Sequence, residues 1–303
     1  MEKNEEKLFS YSRCSKGKSL MKTILITGSS SGFGLEMVQD LIAQGHFVIA
    51  TLRGADERSS IFDGITDKSK LKILTLDVCS KEDIKAAANY VKDEHVGSLD
   101  VLINNAGYGL YGALEDISEE QVRHQMEVNF FGPTLLTQEL LPFLRKTKGK
   151  VINISSVMGR FSLPLGSVYS ASKFALEGLT EGLYYELKPF GVQVCAVQPG
   201  AHRTGFVKAM IWGDKSNNED SPYINQTNGL LRNVKEMTSK PTATGSENVS
   251  KIVTKLINKK RMPRRVLAGK DAVATGIAQK FLPEALYHEI LHRSYEKVFG
   301  SEI

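Results

Sequence analysis

Three side chains in the middle of the sequence have types and a spacing suited to proton transfer. Tyr169 and Lys173 are four residues apart in a stretch with helical apolar spacing, so they lie on one face of a helix, one turn from each other. A phenol has a pKa near ~10, and a nearby ammonium favours the phenolate and lowers that pKa. A lowering of about two to three units corresponds to about 3–4 kcal/mol, which a charge in a dry cleft can supply.

Ser156 adds a hydroxyl that can hold a substrate oxygen, directly after the strand-like run at residues 150–155. Serine, tyrosine and lysine together suit proton transfer to or from a carbonyl or alcohol oxygen. The same tyrosine–lysine spacing also occurs by chance on solvated helix faces. The pair alone is therefore compatible with a catalytic site and with a solvated helix face. The motifs upstream distinguish these two interpretations.

A glycine-rich turn stands near the start of the chain, between an apolar run at residues 22–27 and a helical pattern at residues 35–43. Glycine allows positive φ and lets the backbone approach a ligand, and the N–H groups at a helix N-terminus favour a diphosphate. The strand before the turn and the helix after it favour a nucleotide-binding loop over a purely structural turn. With the spacing Gly-x-x-x-Gly-x-Gly, the candidate contacts are Gly28, Ser30, Ser31, Gly32, Phe33 and Gly34.

The end of the second strand bears on the choice of nucleotide. An acidic residue there would bond the adenosine ribose of NAD, but the chain reads Thr51, Leu52, Arg53. Because a guanidinium can clamp a 2′-phosphate, NADP(H) is preferred, with NAD(H) still possible. Ser31 is not basic, so half of the usual NADP signature is missing, and an ordinary surface charge at Arg53 is the alternative.

Short apolar strands alternate with helical segments along most of the chain. Strand patterns fall at residues 22–27, 47–51, 72–76, 99–103, 151–155, 192–197 and 265–268. Helical patterns fall at residues 35–43, 81–96, 119–145 and 169–188, the third with bends or boundaries near Pro133 and Pro142. The alternation predicts an α/β fold, a doubly wound parallel sheet of about seven strands with helices on both faces and ligands at the carboxyl ends of the strands.

Two segments depart from this rhythm. Residues 1–20 are polar and lysine-rich without periodicity, which predicts a mobile tail before a single domain at residues 21–300. Residues 201–245 are polar and rich in turns, with a few apolar anchors. We interpret this second segment as a substrate-binding lid, with an ordinary surface insertion as the alternative.

The composition is that of an ordinary globular protein, with 303 residues, 41% apolar, 24% charged and a net charge of +5. The basic run at residues 259–265 raises a nucleic-acid-binding protein as an alternative, but no aromatic stacking pattern accompanies it, so a solvated loop is preferred. The three cysteines show neither disulfide nor metal spacing, and no apolar run is long enough to span a membrane or to form a signal peptide. We expect a cytoplasmic protein without metal.

Taken in order, these motifs resemble those of the short-chain dehydrogenases/reductases. The residues that carry the resemblance are Gly28, Gly32, Gly34, residues 104–107 (Asn-Asn-Ala-Gly), Asn129, Ser156, Tyr169, Lys173, Pro199 and Gly200. The glycine spacing differs from that of the family's extended epimerase/dehydratase branch. Residues 50–53 and 169–178 look most like the hydroxysteroid and retinol dehydrogenase subgroup.

The resemblance implies a role for each of these residues. Tyr169 would be the general acid/base, Lys173 would lower its pKa and bond the nicotinamide ribose, and Ser156 would position the substrate oxygen. Asn129 would hold a water that links Lys173 to solvent, with a helix-kink residue that bonds the backbone as the alternative. The other implied cofactor contacts are Asp77, Val78, Asn105, Ala106, Gly107, Pro199, Gly200 and Thr204.

The predicted function is that of an NAD(P)-dependent oxidoreductase. A hydride would pass between C4 of the nicotinamide and a carbonyl or alcohol, with the tyrosine as general acid/base. The alternative is a non-catalytic NADP(H)-binding regulatory protein, which would be expected to lose the tyrosine, lysine or serine. By analogy with the family, a homodimer or homotetramer would form through the helices at residues 119–145 and 169–188.

The substrate is expected to be a small apolar molecule such as a steroid, a retinoid or an aliphatic ketone or alcohol. Several apolar side chains fall in loops expected at the carboxyl edge of the sheet, namely Tyr108, Leu110, Tyr111, Phe161, Leu163, Leu165, Phe206 and Trp212. Packing of these residues under the lid is the alternative. His202 and Arg203, in the loop after the sixth strand, are expected to be loop residues and not catalysts.

Overall fold

The computed structural model describes residues 21–95, 97–203, 210–239 and 244–299, so the predicted tail at residues 1–20 lies outside it. The strands are β1 (Thr23–Ile26), β2 (Phe47–Leu52), β3 (Leu71–Thr75), β4 (Val101–Asn104), β5 (Gly109–Tyr111), β6 (Lys150–Ile154), β7 (Gln193–Pro199), β8 (His202–Arg203), β9 (Met210–Trp212), β10 (Thr244–Gly245) and β11 (Arg265–Ala268). The helices are α1 (Gly32–Ala43), α2 (Ala55–Arg58), α3 (Lys81–Glu94), α4 (Glu119–Met126), α5 (Gly132–Thr147), α6 (Ser167–Glu186), α7 (Ile224–Ser239), α8 (Glu247–Asn258), α9 (Lys270–Phe281) and α10 (Glu284–Phe299).

Seven strands form one parallel sheet in the order β11–β7–β6–β4–β1–β2–β3. β4 and β6 are buried at every residue, because helices cover both faces of the sheet. α1 and α8 pack on one face, while α3, α5 and α6 pack on the other. The predicted doubly wound α/β fold is confirmed.

The strand order reverses between β1 and β4, the two strands that hydrogen-bond in the middle of the sheet. In an open parallel sheet, ligands bind at the carboxyl ends of the strands beside such a reversal. The glycine turn follows β1 at this position, and residues 105–107 follow β4. The fold therefore places two of the predicted cofactor segments next to each other.

The long helix predicted at residues 119–145 is divided in the structure. α4 begins with a capping box in which Ser118 and Gln121 bond each other's backbone N–H groups. A π-helical turn (Glu127–Phe131) then separates α4 from α5, and Pro133 lies in the first turn of α5. The predicted boundary near Pro133 is therefore present, whereas Pro142 lies inside α5 and marks no boundary.

The predicted lid at residues 201–245 contains structure of its own. β9 pairs with β5 as a parallel two-stranded sheet, and β8 pairs in the same way with β10. α7 lies between these short strands in the sequence. A lid function for this segment stays a prediction. Within the described ranges, no helix combines the length and apolar character that crossing a membrane requires.

The basic run at residues 259–265 differs from the solvated loop that was expected. Arg264 and Arg265 form ion pairs with carboxylates of α6, and Arg265 is the first residue of β11. Lys260 and Arg261 are exposed. The C-terminal arginines of the run therefore contribute to the structure by attaching the sheet edge to α6.

Candidate active site

The three residues predicted to transfer protons meet beside the carboxyl end of β6. Ser156 follows that strand, and its Oγ accepts a 3.1 Å hydrogen bond from the backbone N of Met158 as the chain turns away. Tyr169 and Lys173 lie one turn apart near the start of α6. All three side chains are nearly excluded from solvent, and Ser156 hydrogen-bonds the phenol of Tyr169. The structure thus forms the predicted constellation.

Burial dominates the electrostatics of this group. It raises the pKa of Tyr169 to about 12, against a smaller lowering by the Ser156 hydrogen bond. It also lowers the pKa of Lys173 to about 8, against a smaller raising by Glu177. Lys173 Nζ lies 5.8 Å from the centre of the Tyr169 ring and donates a 3.1 Å hydrogen bond to the carbonyl of Ile154. The expected lowering of the phenol pKa is therefore wrong for this structure, because loss of solvation outweighs the hydrogen bond from Ser156.

Asn129 projects inward from the π-helical turn. Its Nδ2 donates 3.0 Å hydrogen bonds to the Tyr108 carbonyl and to Ser172 Oγ, and its Oδ1 accepts one of 3.2 Å from the backbone N of Tyr108. A Cβ placed on Gly107 would lie 3.0 Å from Asn129 Oδ1 and 3.5 Å from Lys173 Nζ, so the amide and the ammonium border the same small space. The backbone contacts match the helix-kink alternative, and the role in holding water stays a prediction.

The glycine turn is closed by contacts that leave no room for side chains. Gly28 has a φ of +67°, and a Cβ there would lie 2.8 Å from Ala106 Cα. A Cβ on Gly34 would overlap the carbonyl oxygen of Gly28 and lie 2.7 Å from Asn105 Nδ2. Asn105 Nδ2 also donates to the carbonyls of Thr27 and Gly28, at 2.9 and 3.0 Å. The loop after β4 thus holds the turn in a shape that only glycine permits.

The first turn of α1 is suited to an anion. The helix begins at Gly32, and the preceding Ser31 is extended and exposed and makes no side-chain capping bond. No acidic residue lies in the first turn of this helix, so its positive end is not neutralised there. Ser30 and Phe33 are half-buried on either side of this start. These features, together with the glycine cradle, fit a bound diphosphate.

Arg53 lies at the same edge of the sheet, directly after β2, and is exposed. It is close enough to Cys79 to lower the pKa of that thiol, although burial and Asp77 raise the pKa to about 11 overall. Asp77 Oδ1 accepts a 2.9 Å hydrogen bond from the backbone N of Cys79, which leaves its carboxylate near the end of β3. Val78 is buried against Gly132 of α5. Arg53 and Asp77 both lie at this edge of the sheet, and their contacts with a nucleotide stay predictions.

The segment after β7 runs beside the glycine turn. Pro199 ends the strand, and the carbonyl of Gly200 lies 3.0 Å from Nδ1 of His202. The ring of His202 is buried and makes an edge-to-face contact with Phe33 at 5.3 Å between ring centres. His202 was expected to be only a loop residue, and its spacing from the proline gave no signal of this contact. Thr204, predicted to contact the cofactor, lies outside the described residues.

Apolar side chains cover the tyrosine on the substrate side. The ring of Tyr111, on β5, lies 5.7 Å from that of Tyr169 and 6.2 Å from that of Trp212 on β9, measured between ring centres. The cluster around these rings also includes Ala113, Met158, Leu163, Leu165, Met210, Tyr223, Leu230 and Val234. This apolar wall is therefore built in part by β5, β9 and α7, and its aliphatic α7 members, Leu230 and Val234, carried no signal in the sequence.

The other residues predicted for the substrate side are distributed differently. Leu110 and Tyr108 pack in a neighbouring cluster with Val168, while Phe161 contacts Tyr287 of α10. Phe206 lies outside the described residues. These contacts agree in part with the alternative, in which several of these apolar side chains pack within the protein and do not bind substrate. Among the residues that the structure describes, no group of three or more His, Cys, Asp or Glu side chains could hold a metal ion.

Comparison with known proteins identifies relatives of this site. The family model "short chain dehydrogenase" matches residues 22–212. A 3-ketodihydrosphingosine reductase of Bacteroides thetaiotaomicron is 46% identical over 184 residues, which are 60% of this chain and 65% of that protein. The chain thus spans about two thirds of that relative's length. Retinol dehydrogenase 8 of Bos taurus is 31% identical over 80% of each chain.

Solved structures give the same result for the fold. A short-chain dehydrogenase from Streptomyces avermitilis has a TM-score of 0.75 and 34% identity, over 90% of this chain and 98% of its own. A serine dehydrogenase in its closed form, complexed with NADP+, has a TM-score of 0.67 and 26% identity, over 81% of this chain and 93% of its own.

Proposed function

Because the chain belongs to the short chain dehydrogenase family, we propose that it is an NAD(P)-dependent oxidoreductase of carbonyl and alcohol groups. The observation that supports this most directly is the meeting of Ser156, Tyr169 and Lys173 at the edge of the sheet that also carries the glycine turn. A cofactor held by the turn and a substrate held by the serine would share this edge. The same arrangement would have no purpose in a protein that only binds the nucleotide.

The residues of the chain divide the work in the following way. When bound, the nicotinamide cofactor supplies or accepts the hydride. The backbone around Gly28 and Gly34 and the start of α1 would hold its diphosphate. Ser156 holds the substrate oxygen, and Tyr169 gives it a proton in reduction and removes one in oxidation. The ammonium of Lys173 then stabilises the phenolate that remains.

The nicotinamide cofactor is proposed to be NADP(H) in preference to NAD(H). The exposed guanidinium of Arg53 follows β2 directly, at the strand end where this fold commonly receives an adenosine ribose, and no acidic residue precedes it there. A bidentate contact to a 2′-phosphate would favour the phosphorylated nucleotide. Solved structures of the same fold are complexed with NADP+ in one case and with NAD in another, so the proposed preference rests on Arg53.

The substrate is proposed to be an apolar ketone, aldehyde or alcohol. Apart from Ser156 and Lys173, the side chains described around the ring of Tyr169 form an apolar cluster, and Tyr111 is buried in it. The names of two relatives, a 3-ketodihydrosphingosine reductase and a retinol dehydrogenase, agree with an oxygen function on a largely apolar molecule. Steroids, retinoids and long-chain ketones are the classes to test.

The test is a panel of apolar ketones, aldehydes and alcohols, including 3-ketodihydrosphingosine and retinal, assayed with NADPH and NADH in parallel. Reduced nicotinamide is followed by its absorbance. We expect turnover with at least one apolar carbonyl, and a Tyr169→Phe variant should lose about 10³-fold in kcat while still binding the cofactor. A Tyr169→Phe protein that turns over at nearly the wild-type rate would refute the assignment.

A homodimer or homotetramer in the cytoplasm is proposed as the working state. Phe131, Phe174 and Tyr185 are exposed on or beside α5 and α6, the helices expected to pair with a second copy. Light scattering of the purified protein distinguishes the states, and a monomer at all concentrations would remove this proposal.

A further inference from the structure

A buried carboxylate lies directly behind the lysine of the site. Glu177 is one further turn along α6 from Lys173, on the same helix face. Its side chain is only 5% exposed, and a carboxylate is rarely buried to this extent unless it is paired. None of the proton transfers or cofactor contacts described above uses this residue.

An arginine from the edge of the sheet holds this carboxylate. Glu177 Oε2 accepts a 2.7 Å hydrogen bond from Nε of Arg265 on β11. Nη2 of the same arginine donates at 2.8 Å to Oε2 of Glu181, one turn further along α6. The guanidinium is therefore shared between two carboxylates, and it fixes the rotation of α6 relative to β11.

The second carboxylate oxygen of Glu177 is different. Among the described residues, Glu177 Oε1 has no hydrogen-bond partner, and neither has the nearby buried hydroxyl of Ser155. The aliphatic part of the Glu177 side chain and the Ser155 hydroxyl border Gly159, where a Cβ would lie 2.9 Å from Glu177 Cγ and 3.0 Å from Ser155 Oγ. The arginine therefore bonds only one of the two carboxylate oxygens, and Glu177 is close enough to Lys173 to raise the pKa of its ammonium.

We propose that Glu177, held by Arg265, is a positioning residue that keeps the ammonium of Lys173 charged and fixes the turn of α6 that presents Tyr169. Glu177 does not touch the substrate or the cofactor, and it acts through the lysine. This inference rests on the proposed oxidoreductase function, because only a reaction at the phenol requires a charged lysine there.

The physical reason is a balance between burial and an opposite charge. Burial lowers the pKa of Lys173, and the carboxylate one turn away raises it. The titratable and charged groups that face this pair are Tyr169 and Glu181 on α6, Arg265 on β11 and the Cys195 thiol on β7, whose pKa burial raises to about 12. Without Glu177, burial would act on the lysine with no carboxylate one turn away to oppose it.

The direct test measures the lysine in the cofactor-free protein. Nζ of Lys173 is followed by NMR in protein labelled with ¹⁵N-lysine and is assigned with a Lys173→Arg variant. In Glu177→Gln we expect the pKa of Lys173 to fall by about one unit. Glu181→Gln is the matched control. It also removes a carboxylate that bonds Arg265, but this carboxylate lies one turn further from the lysine. The pKa of Lys173 should therefore stay unchanged in this variant. Equal values in all three proteins would overturn the proposal.

A second variant gives a shift of opposite sign. Arg265→Met removes the positive charge that neutralises Glu177, so the pKa of Lys173 should rise, and this variant also serves if Glu177→Gln does not fold. An unchanged or lowered value in Arg265→Met overturns the proposal.

The kinetic arm follows kcat/KM of the wild type and its variants as pH rises through the pKa of Lys173, near 8. The basic limb should move to lower pH in Glu177→Gln and return toward its wild-type position in Glu177→Asp. If the wild type reduces no carbonyl but the variants show the expected changes in the pKa of Lys173, the proposed function is rejected. The influence of Glu177 on Lys173 then still stands. If Tyr169→Phe is inactive but Glu177→Gln keeps the pH profile of kcat/KM of the wild type, only the inference about Glu177 is rejected, and the proposed function stands.

Discussion

The nucleotide side and the substrate side of the site are built by different means. On the nucleotide side, backbone atoms approach each other so closely at Gly28 and Gly34 that a single Cβ would collide. On the substrate side, short strands and α7 bring apolar side chains such as Trp212 and Leu230 against Tyr169. A site shaped by the backbone allows few substitutions, whereas a site shaped by side chains changes its specificity one residue at a time. The chemistry of the molecule is therefore fixed more firmly than its choice of substrate.

The largest effect is expected where the backbone alone shapes the site. Gly34→Ala should weaken NADPH binding by at least about 100-fold and lower the free energy of unfolding by about 1–3 kcal/mol, because its Cβ overlaps the carbonyl of Gly28. Fluorescence titration with NADPH and equilibrium unfolding in urea measure the two quantities. The control is Gly178→Ala on α6, where a Cβ meets nothing within 4 Å, and it should stabilise the protein by about 0.5–1 kcal/mol. Equal effects of the two substitutions would contradict the comparison.

The next effect concerns the attachment of the C-terminal part to the sheet. Nζ of the buried Lys150, the first residue of β6, donates to the carbonyls of Leu256, Ile257 and Lys259 at 3.0, 2.7 and 2.7 Å. Lys150→Met should lower the free energy of unfolding by about 3 kcal/mol, because it leaves these carbonyls at the end of α8 without their donor. Urea unfolding measures this change, and Lys255→Met, an exposed lysine of the same helix, should change stability by less than about 0.5 kcal/mol.

A smaller effect is expected at the edge of the nucleotide site. Arg53→Ala should raise the KM for NADPH about 10-fold and leave the KM for NADH nearly unchanged, because only the 2′-phosphate meets the guanidinium. Steady-state kinetics with both cofactors gives the ratio. Arg58→Ala removes an exposed arginine from α2 and serves as the control for net charge. If both variants keep the wild-type ratio, Arg53 is an ordinary surface charge.

The smallest effect is expected on the substrate side. Trp212→Ala should raise the KM for the best apolar substrate about 10-fold with kcat within about 2-fold, because it removes part of the apolar wall and none of the proton-transfer groups. Ile211→Ala, at the exposed neighbouring position on β9, should change neither constant. A fall in kcat with an unchanged KM would show that the tryptophan acts on the chemistry and not on substrate binding.

The sequence predicted the sheet and the position of the glycine turn well, because several independent local signals coincide. The buried strands are continuous apolar runs, the glycine spacing is tied to a strand and a helix, and Tyr169 and Lys173 share a helix face. Each signal is local, and the parallel sheet brings their ends together without further information. The seven-stranded sheet, the helices α1, α3 and α6, and the meeting of the three proton-transfer residues therefore follow from local patterns, whereas α7, α8, α9 and α10 were not predicted.

Other features depend on packing that no local pattern records. β5, β8, β9 and β10 have two or three residues each, too few for a periodicity, and the π-helical turn leaves no mark in the apolar spacing. The raised pKa of Tyr169 depends on complete burial, which residue types do not reveal. Glu177 gave one signal, its spacing of four from Lys173, and an inspection of that helix face would have found it. The cofactor role of Thr204 stays a prediction.

The position of β11 has a consequence for biosynthesis. This strand pairs with β7, yet Arg265–Ala268 is made only after the whole segment from residue 200 to residue 264. Until it leaves the ribosome, the outer N–H and C=O groups of β7 have no parallel neighbour, and a bare, apolar sheet edge invites association with other chains. The nascent protein should therefore need chaperone protection longest at this edge, although its nucleotide turn is complete much earlier.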